Sequence, residues 1–171
     1  MEKERFIKIM SSLGKLYQVE IDKEMLELWL AFFKDEDTNT FASAVNEHIR
    51  TSVYFPKVAE IKSIIANNKM NNLPKAEDEW NKVLELVVKY GSYNQEKALN
   101  EMNDYTRYIV NHIGFINICM AESEQQKWNR KDFIEEYNNL KDREKELIQI
   151  GHKEVNIMKM LQEHNENKEI E

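Results

Sequence analysis

One cysteine, two prolines and four glycines are all that this chain of 171 residues has of the residue types that staple, break or sharply turn a backbone. The single thiol, Cys119, excludes an intramolecular disulfide and leaves no CxxC pair for a metal. With so little glycine and proline, β-hairpin signals are nearly absent, and the Glu, Lys, Leu, Met and Ile that fill the chain favour helix. No apolar run approaches the roughly 20 residues of a membrane span. The start, Met1-Glu2-Lys3-Glu4-Arg5, lacks the apolar core of a secretory signal, so a soluble protein of a reducing bacterial cytoplasm, with no membrane contact, is the expectation. An excess of basic charge is missing as well. A formal net charge of −7 excludes coating nucleic acid by bulk electrostatics, which needs clustered Lys and Arg, though it leaves room for a local basic patch. No G-x-x-x-x-G-K-[ST] loop occurs, and a nucleotide motor needs its amides, lysine and hydroxyl around the phosphates. No cofactor is expected.

What is present is helical periodicity. Phe6, Met10, Leu13 and Tyr17 predict a first amphipathic helix over residues 2–17, with Gly14 a weak point in its last turn. Asp22 is a plausible N-cap for a second helix to Lys34, with Met25, Leu28, Trp29 and Phe32 as its buried stripe, broadened by Leu26 and Phe33. A third helix, capped by Asp37 or Thr38, turns Phe41, Val45 and Ile49 inward. Pro56 has no N–H to donate and a φ near the helical value, so a fourth helix is expected to begin there. Val58, Ile61 and Ile65 form its stripe, while Lys57, Glu60 and Lys62 fall off it. Tyr54 and Phe55 are placed to staple its entry.

The chain therefore reads as all-α, with an amino-terminal helical bundle over residues 1–68 and an asparagine-rich linker at 69–74 ending in Pro74. A second small helical module occupies 75–140. Trp80, Val83, Leu84 and Val87 point inward in its first helix, which Gly91 ends. Segments 96–102, 104–112 and 114–121 come next, then a helix over 129–140 with Asn129 as its cap and Phe133, Ile134 and Tyr137 on one side. Residues 141–171 are a charged amphipathic carboxy-terminal helix and tail. Leu147, Ile150, Val155, Met158 and Leu161 form a thin stripe there, with no earlier segment obliged to cover it.

Catalytic and metal sites are not expected. His48, His112, His152 and His164 form no H-x-x-x-H pair, and Cys119 lies in the apolar company of Ile118 and Met120. Glu77, Asp78 and Glu79 read as dipole-complementing acids facing solvent, and Trp29, Trp80 and Trp128 as core rather than base-stacking platforms. Arg50, Lys57 and Lys62 mark a small positive edge around the fourth helix. It is the candidate nucleic-acid contact, against the plainer reading of solvated charge.

An amphipathic helix, a polar turn and then YFPKVAEIKSII, Tyr54 to Ile65, together resemble the phage replicative helicase loader/inhibitor family. The resemblance takes in the helices around Leu28-Trp29 and from Phe41 to Ile49, and a second block, Ala76 to Tyr137, is similar to the next segment of longer relatives. It implies a non-enzymatic protein that binds a DnaB-type hexameric replicative helicase, restrains it and delivers it to the origin complex, with an origin-binding replication protein as a further partner. Since the phosphate loop is missing, loading would proceed without an ATPase of the protein's own. The resemblance also implies a folded amino-terminal domain and a flexible carboxy-terminal part that touches the helicase, a role matching Leu147, Ile150, Val155, Met158 and Leu161. The alternative is a DNA-binding replisome organiser that recognises the origin directly.

Overall fold

The structure, a computed structural model, describes residues 1–150. Among these, nine α-helices and one short 3₁₀ turn carry the fold, with no strand. They are α1 (Lys3–Tyr17), α2 (Lys23–Phe33), α3 (Thr38–Thr51), α4 (Val58–Asn71), α5 (Ala76–Tyr90), α6 (Gln95–Asn100), α7 (Asp104–Ile113), α8 (Phe115–Met120) and α9 (Ser123–Gln149). They form two compact units. One comprises Met1–Asn71 with the end of α9 from Lys145, and the other Asn72–Glu144.

In the first unit, local chemistry starts and stops each helix. Asp22 accepts a hydrogen bond from the Met25 amide at 2.7 Å, and Asp37 from the Asn39 and Thr40 amides at 2.8 and 3.1 Å. The bond from the Thr40 amide, above all, holds the Asp37 carboxyl below the usual carboxylate range. Thr38, the other candidate cap, instead accepts from the Glu2 amide at 2.8 Å and ties the chain start to α3. α4 begins at Val58, two residues after the expected proline: Lys57 is its cap, and Glu60 reaches back to the Lys57 amide at 2.6 Å. That reach-back is half of a capping box, and it leaves Pro56 just outside the helix. The helix then continues through the asparagines to Asn71, with Met70 buried, so the break in regular structure falls after Asn71.

The core of this unit is aromatic. Phe6 of α1 meets Phe41 of α3 at 5.1 Å between ring centroids, and Phe41 meets Phe33 of α2 at 4.8 Å. Phe33 stacks on Trp29 at 5.7 Å, Trp29 meets Phe55 edge-on at 5.9 Å, and Phe55 meets Tyr17 at 6.1 Å. Phe55 thus staples the entry to α4. Tyr54 points outward; its carbonyl accepts from His48 Nε2 at 2.9 Å and its amide donates to Ser52 Oγ at 3.2 Å. On α3, Ala44, Val45 and His48 are buried while Ile49 is only half-buried. The expected α2 stripe is corrected. Trp29 and Phe33 are buried, but Leu28 is 57% and Phe32 51% exposed. α2 has apolar residues nearly all round, and only the edge facing α1 and α3 finds partners.

α1 ends in a Schellman turn. Gln18 takes the left-handed conformation at φ 57°, and the Val19 amide returns to the Gly14 carbonyl at 2.9 Å. The returning chain presses on Gly14, where a Cβ would stand 2.5 Å from Ile21 Cγ1 and 2.8 Å from the Val19 carbonyl oxygen. Helix propensity alone predicts that Gly14→Ala stabilises α1 by about 1 kcal/mol. The close approach predicts the opposite sign, a loss of about 1–3 kcal/mol, which urea unfolding measures directly.

In the second unit, Trp80, Val83 and Leu86 of α5 are buried together with Ile109 and Val110 of α7, Phe115 and Ile118 of α8, and Phe133, Tyr137 and Leu140 of α9. Leu84 and Val87, expected inside, are half-buried. Gly91 ends α5 at φ 61°, its amide bonded to the Val87 carbonyl at 2.9 Å. Several expectations change here. Glu79 is buried and accepts from Thr106 Oγ1 at 2.6 Å rather than facing solvent. Asn129 is no cap, because α9 begins at Ser123 and runs unbroken to Gln149, across the change of composition at 140. Trp128 is exposed, with Lys131 Nζ 5.5 Å from its ring.

Tyr137 stacks on Phe133 at 5.9 Å and is fully buried, and its hydroxyl makes no hydrogen bond of full geometry, with the Asn103 side chain close to it. Burial first, and the Glu79 carboxylate second, push its pKa up to about 12. An unfolded tyrosine ionises near pH 10. Between about pH 10 and 12 the unfolded chain sheds this proton while the folded one keeps it, so the stabilisation is complete below pH 10 and falls as pH rises. Tyr137→Phe is expected to be neutral or stabilising at pH 7, since it removes a buried hydroxyl without a full hydrogen bond. It also flattens the alkaline decline by about 1–3 kcal/mol, read as the difference between wild-type and variant melting curves across that window.

Candidate partner-binding surfaces

The three cations of the expected positive edge occupy different environments. Arg50, in the last turn of α3, and Lys57, the cap of α4, are exposed. Lys62 is not. It is 6% exposed, its ammonium 3.0 Å from Glu36 Oε1 and 5.0 Å from the centroid of the Phe33 ring. Glu36 also faces Lys69, at 3.7 Å. The expectation that Lys62 faces water is therefore corrected. The turn between α2 and α3 brings a nearly buried carboxylate against α4, and such a charge requires a cation beside it.

The carboxy-terminal stripe is described only at its start. Leu147 is half-buried in the last turn of α9, and Ile150, just past it, is 69% exposed. Ile148, outside the expected stripe, is buried, and within the first unit Gln149 Nε2 donates to Ser63 Oγ at 3.2 Å. This last turn is thus anchored rather than free. Val155, Met158 and Leu161 lie outside the described residues.

Sequence reasoning missed the outer face of α2, where Leu28 and Phe32 stand one turn apart and exposed. Beside it, a small apolar cleft of about 250 Å³ opens between α1 and α2, floored by Phe6, Ile7, Leu26 and Leu30 with Lys3 and Lys23 at its rim. The signal was present in KEMLELWLAFF, which has more apolar positions than one helix edge can bury.

The groups considered for chemistry are otherwise occupied. His48 is buried, and because a carbonyl can only accept, its Nε2 donates to Tyr54. His112 Nδ1 lies 3.1 Å from Glu136, while His152 and His164 lie outside the described residues. Cys119 is half-buried, and burial pushes its thiol pKa up, away from the thiolate a nucleophile needs. Among the described residues no three His, Cys, Asp or Glu side chains are grouped to hold a metal ion, and no helix is long and apolar enough to cross a membrane.

The first unit also carries the relationship to known proteins. Residues 1–62 match the family model of the gene 39 protein, N-terminal domain. This gene 39 protein family is the phage helicase loader/inhibitor family that the sequence resembles. The match spans α1 to α3 and the first turns of α4, closing on Lys62, so every ring of the aromatic core falls inside it. The second unit lies beyond the matched residues. No curated protein and no solved structure matches the chain.

The Lys62 geometry sets an expectation opposite to that of a surface charge. Lys62→Ala leaves Glu36 short of its nearest cation and is expected to cost about 2–4 kcal/mol in urea unfolding. Lys57→Ala, on an exposed side chain, stays within about 0.5 kcal/mol. Lys62→Met combined with Glu36→Gln, which removes both charges, recovers most of the loss.

Proposed function

We propose that this protein binds a DnaB-type hexameric replicative helicase, restrains it and helps load it at a phage origin without an ATPase of its own. The observation that carries the reading is the match of residues 1–62 to the gene 39 protein amino-terminal domain, a helicase-binding family. The missing phosphate loop supports the ATPase-free part: energy for loading comes from the helicase. In this reading the helicase contact is made by Val155, Met158 and Leu161, continuing the stripe from Leu147 and Ile150, and the first unit is the scaffold that presents them. Against the DNA-binding alternative stands the burial of Lys62, which removes one of three candidate cations and leaves Arg50 and Lys57. An organiser that recognised the origin directly would bind DNA with a steep salt dependence.

Mixed with the host's hexameric helicase in the absence of DNA, the protein is expected to co-elute with it on a sizing column and to change its ATPase rate, while turning over no ATP alone. Apolar anchors at the centre of a contact are worth about 1–3 kcal/mol each, so Val155→Asp or Met158→Asp should remove the complex. The melting temperature of either variant stays near wild type. Retained binding, or a melt lowered by many degrees, contradicts the assignment to this segment.

A further inference from the structure

The turn between α3 and α4 is held more firmly than its exposed tip requires. Tyr17 Oη donates to the Ser52 carbonyl at 2.9 Å, buried His48 donates to the Tyr54 carbonyl at 2.9 Å, and the Tyr54 amide donates to Ser52 Oγ at 3.2 Å. Pro56 is buried behind the tip, and Phe55 is wedged between Tyr17 and Trp29. Yet the two side chains that this frame presents touch little of the protein: Val53 is 82% and Tyr54 77% exposed. Fixing a backbone costs conformational entropy, and a ring held in place beforehand loses less of it when a ligand arrives.

The charges beside the ring narrow the ligand. Arg50 stands four residues before Tyr54 and Lys57 three after it, so both cations are within side-chain reach of the tip. Both are exposed, and among the described residues neither side chain has an ion pair or a hydrogen bond. The nearest acids are turned elsewhere: Glu47 accepts from Asn68 Nδ2 at 2.8 Å, and Glu60 from the Lys57 amide at 2.6 Å. Tyr93, in the second unit, provides the contrast. It is 99% exposed, but Lys89 is tied to Glu101 at 2.9 Å and exposed Glu96 adjoins Lys97, so the charge around that ring cancels. A flat ring with an apolar neighbour and two unpaired cations on one rigid turn match single-stranded nucleic acid, in which a base stacks on the ring and the flanking phosphates lie on the cations. A duplex hides its base faces, and an acidic polypeptide would satisfy the cations while leaving the ring unused.

We propose that the α3–α4 turn is a contact site for single-stranded nucleic acid, with Tyr54 as the stacking platform and Arg50 and Lys57 on adjacent phosphates. Phosphates and base faces carry no sequence, so this is not the origin-reading surface of the DNA-binding alternative, and two phosphates give a shallow rather than a steep salt dependence. The site does not depend on the helicase reading, and its test uses no helicase.

The test is fluorescence anisotropy of the full-length protein with labelled oligo-dT at low ionic strength. The logarithm of the binding constant is expected to fall with that of salt concentration with a slope of about −1.4, the value for two phosphates of a single strand. Arg50→Gln or Lys57→Gln should each bring the slope to about −0.7. Tyr54→Ala should weaken oligo-dT at least about fivefold with the slope unchanged, while Tyr54→Phe, which keeps the ring, and Tyr93→Ala, which removes the other exposed ring, should bind as wild type. A labelled duplex of the same length should bind wild type no more tightly than oligo-dT binds Tyr54→Ala. No binding by wild type, a duplex held as tightly as oligo-dT, equal losses from Tyr54→Ala and Tyr93→Ala, or displacement of oligo-dT by an oligo-glutamate of equal charge overturns the site. Slopes left unchanged by both cation variants overturn the assignment of Arg50 and Lys57. Both tyrosine side chains are exposed, and circular dichroism melts of each variant check that the fold is kept.

Discussion

The chain of aromatic contacts from Phe6 through Phe41, Phe33, Trp29 and Phe55 to Tyr17 is the constraint on which the first unit depends. It ties α1, α2, α3 and the entry to α4 into one seam. Each ring buries a large apolar area and prefers tilted or edge-on neighbours, so the contacts fix how the helices cross as well as how closely. The caps at Asp22 and Asp37 and the Schellman turn at Gln18 then set helix ends so that the rings arrive in register. Around this seam the Lys62–Glu36 pair makes a different contribution. It adds little net stability beyond what an apolar pair would, but either charge alone would be expensive, so it ties the α2–α3 turn to one position on α4.

How much of this was legible in the sequence depends on which interactions are local. Helix starts at Asp22 and Asp37, the end of α5 at Gly91 and the stripes of α1 and α4 depend on residues within a turn or two, and they were found. The α2 stripe was misread because nearly every position of that helix is apolar and periodicity cannot choose an edge; packing against α1 and α3 chose it, leaving Leu28 and Phe32 outside. Lys62 and Glu79 were both placed wrongly for one reason. Each is polar, and polarity predicts exposure unless a partner distant in sequence is supplied. Glu36 lies 26 residues before Lys62, and Thr106 lies 27 after Glu79. The break expected near residue 140 came from a change in composition, yet a helix responds to backbone hydrogen bonding and packing, and α9 passes through it.

The two units carry different kinds of information about function. The first contains the family match and an apolar core, and of the three cations expected at its positive edge only Arg50 and Lys57 are exposed. The second, outside the match, contains a buried polar cluster around Glu79 and Thr106 and an acidic groove lined by Glu122, Glu124, Asp132 and Glu136, features that compact packing alone does not require.

The central claim is that the aromatic first unit is a scaffold and that the segment from Val155 to Leu161 makes the helicase contact. Hydrogen–deuterium exchange of the full-length protein, alone and saturated with the hexameric helicase, tests it directly. The account predicts that amides between Val155 and Leu161 gain protection on binding, while those of α1 to α4 exchange as in the free protein. Protection gained along α1 and α2, around Ile7, Leu28 and Phe32, with none between Val155 and Leu161, would contradict it and make the outer face of the first unit the helicase-binding surface.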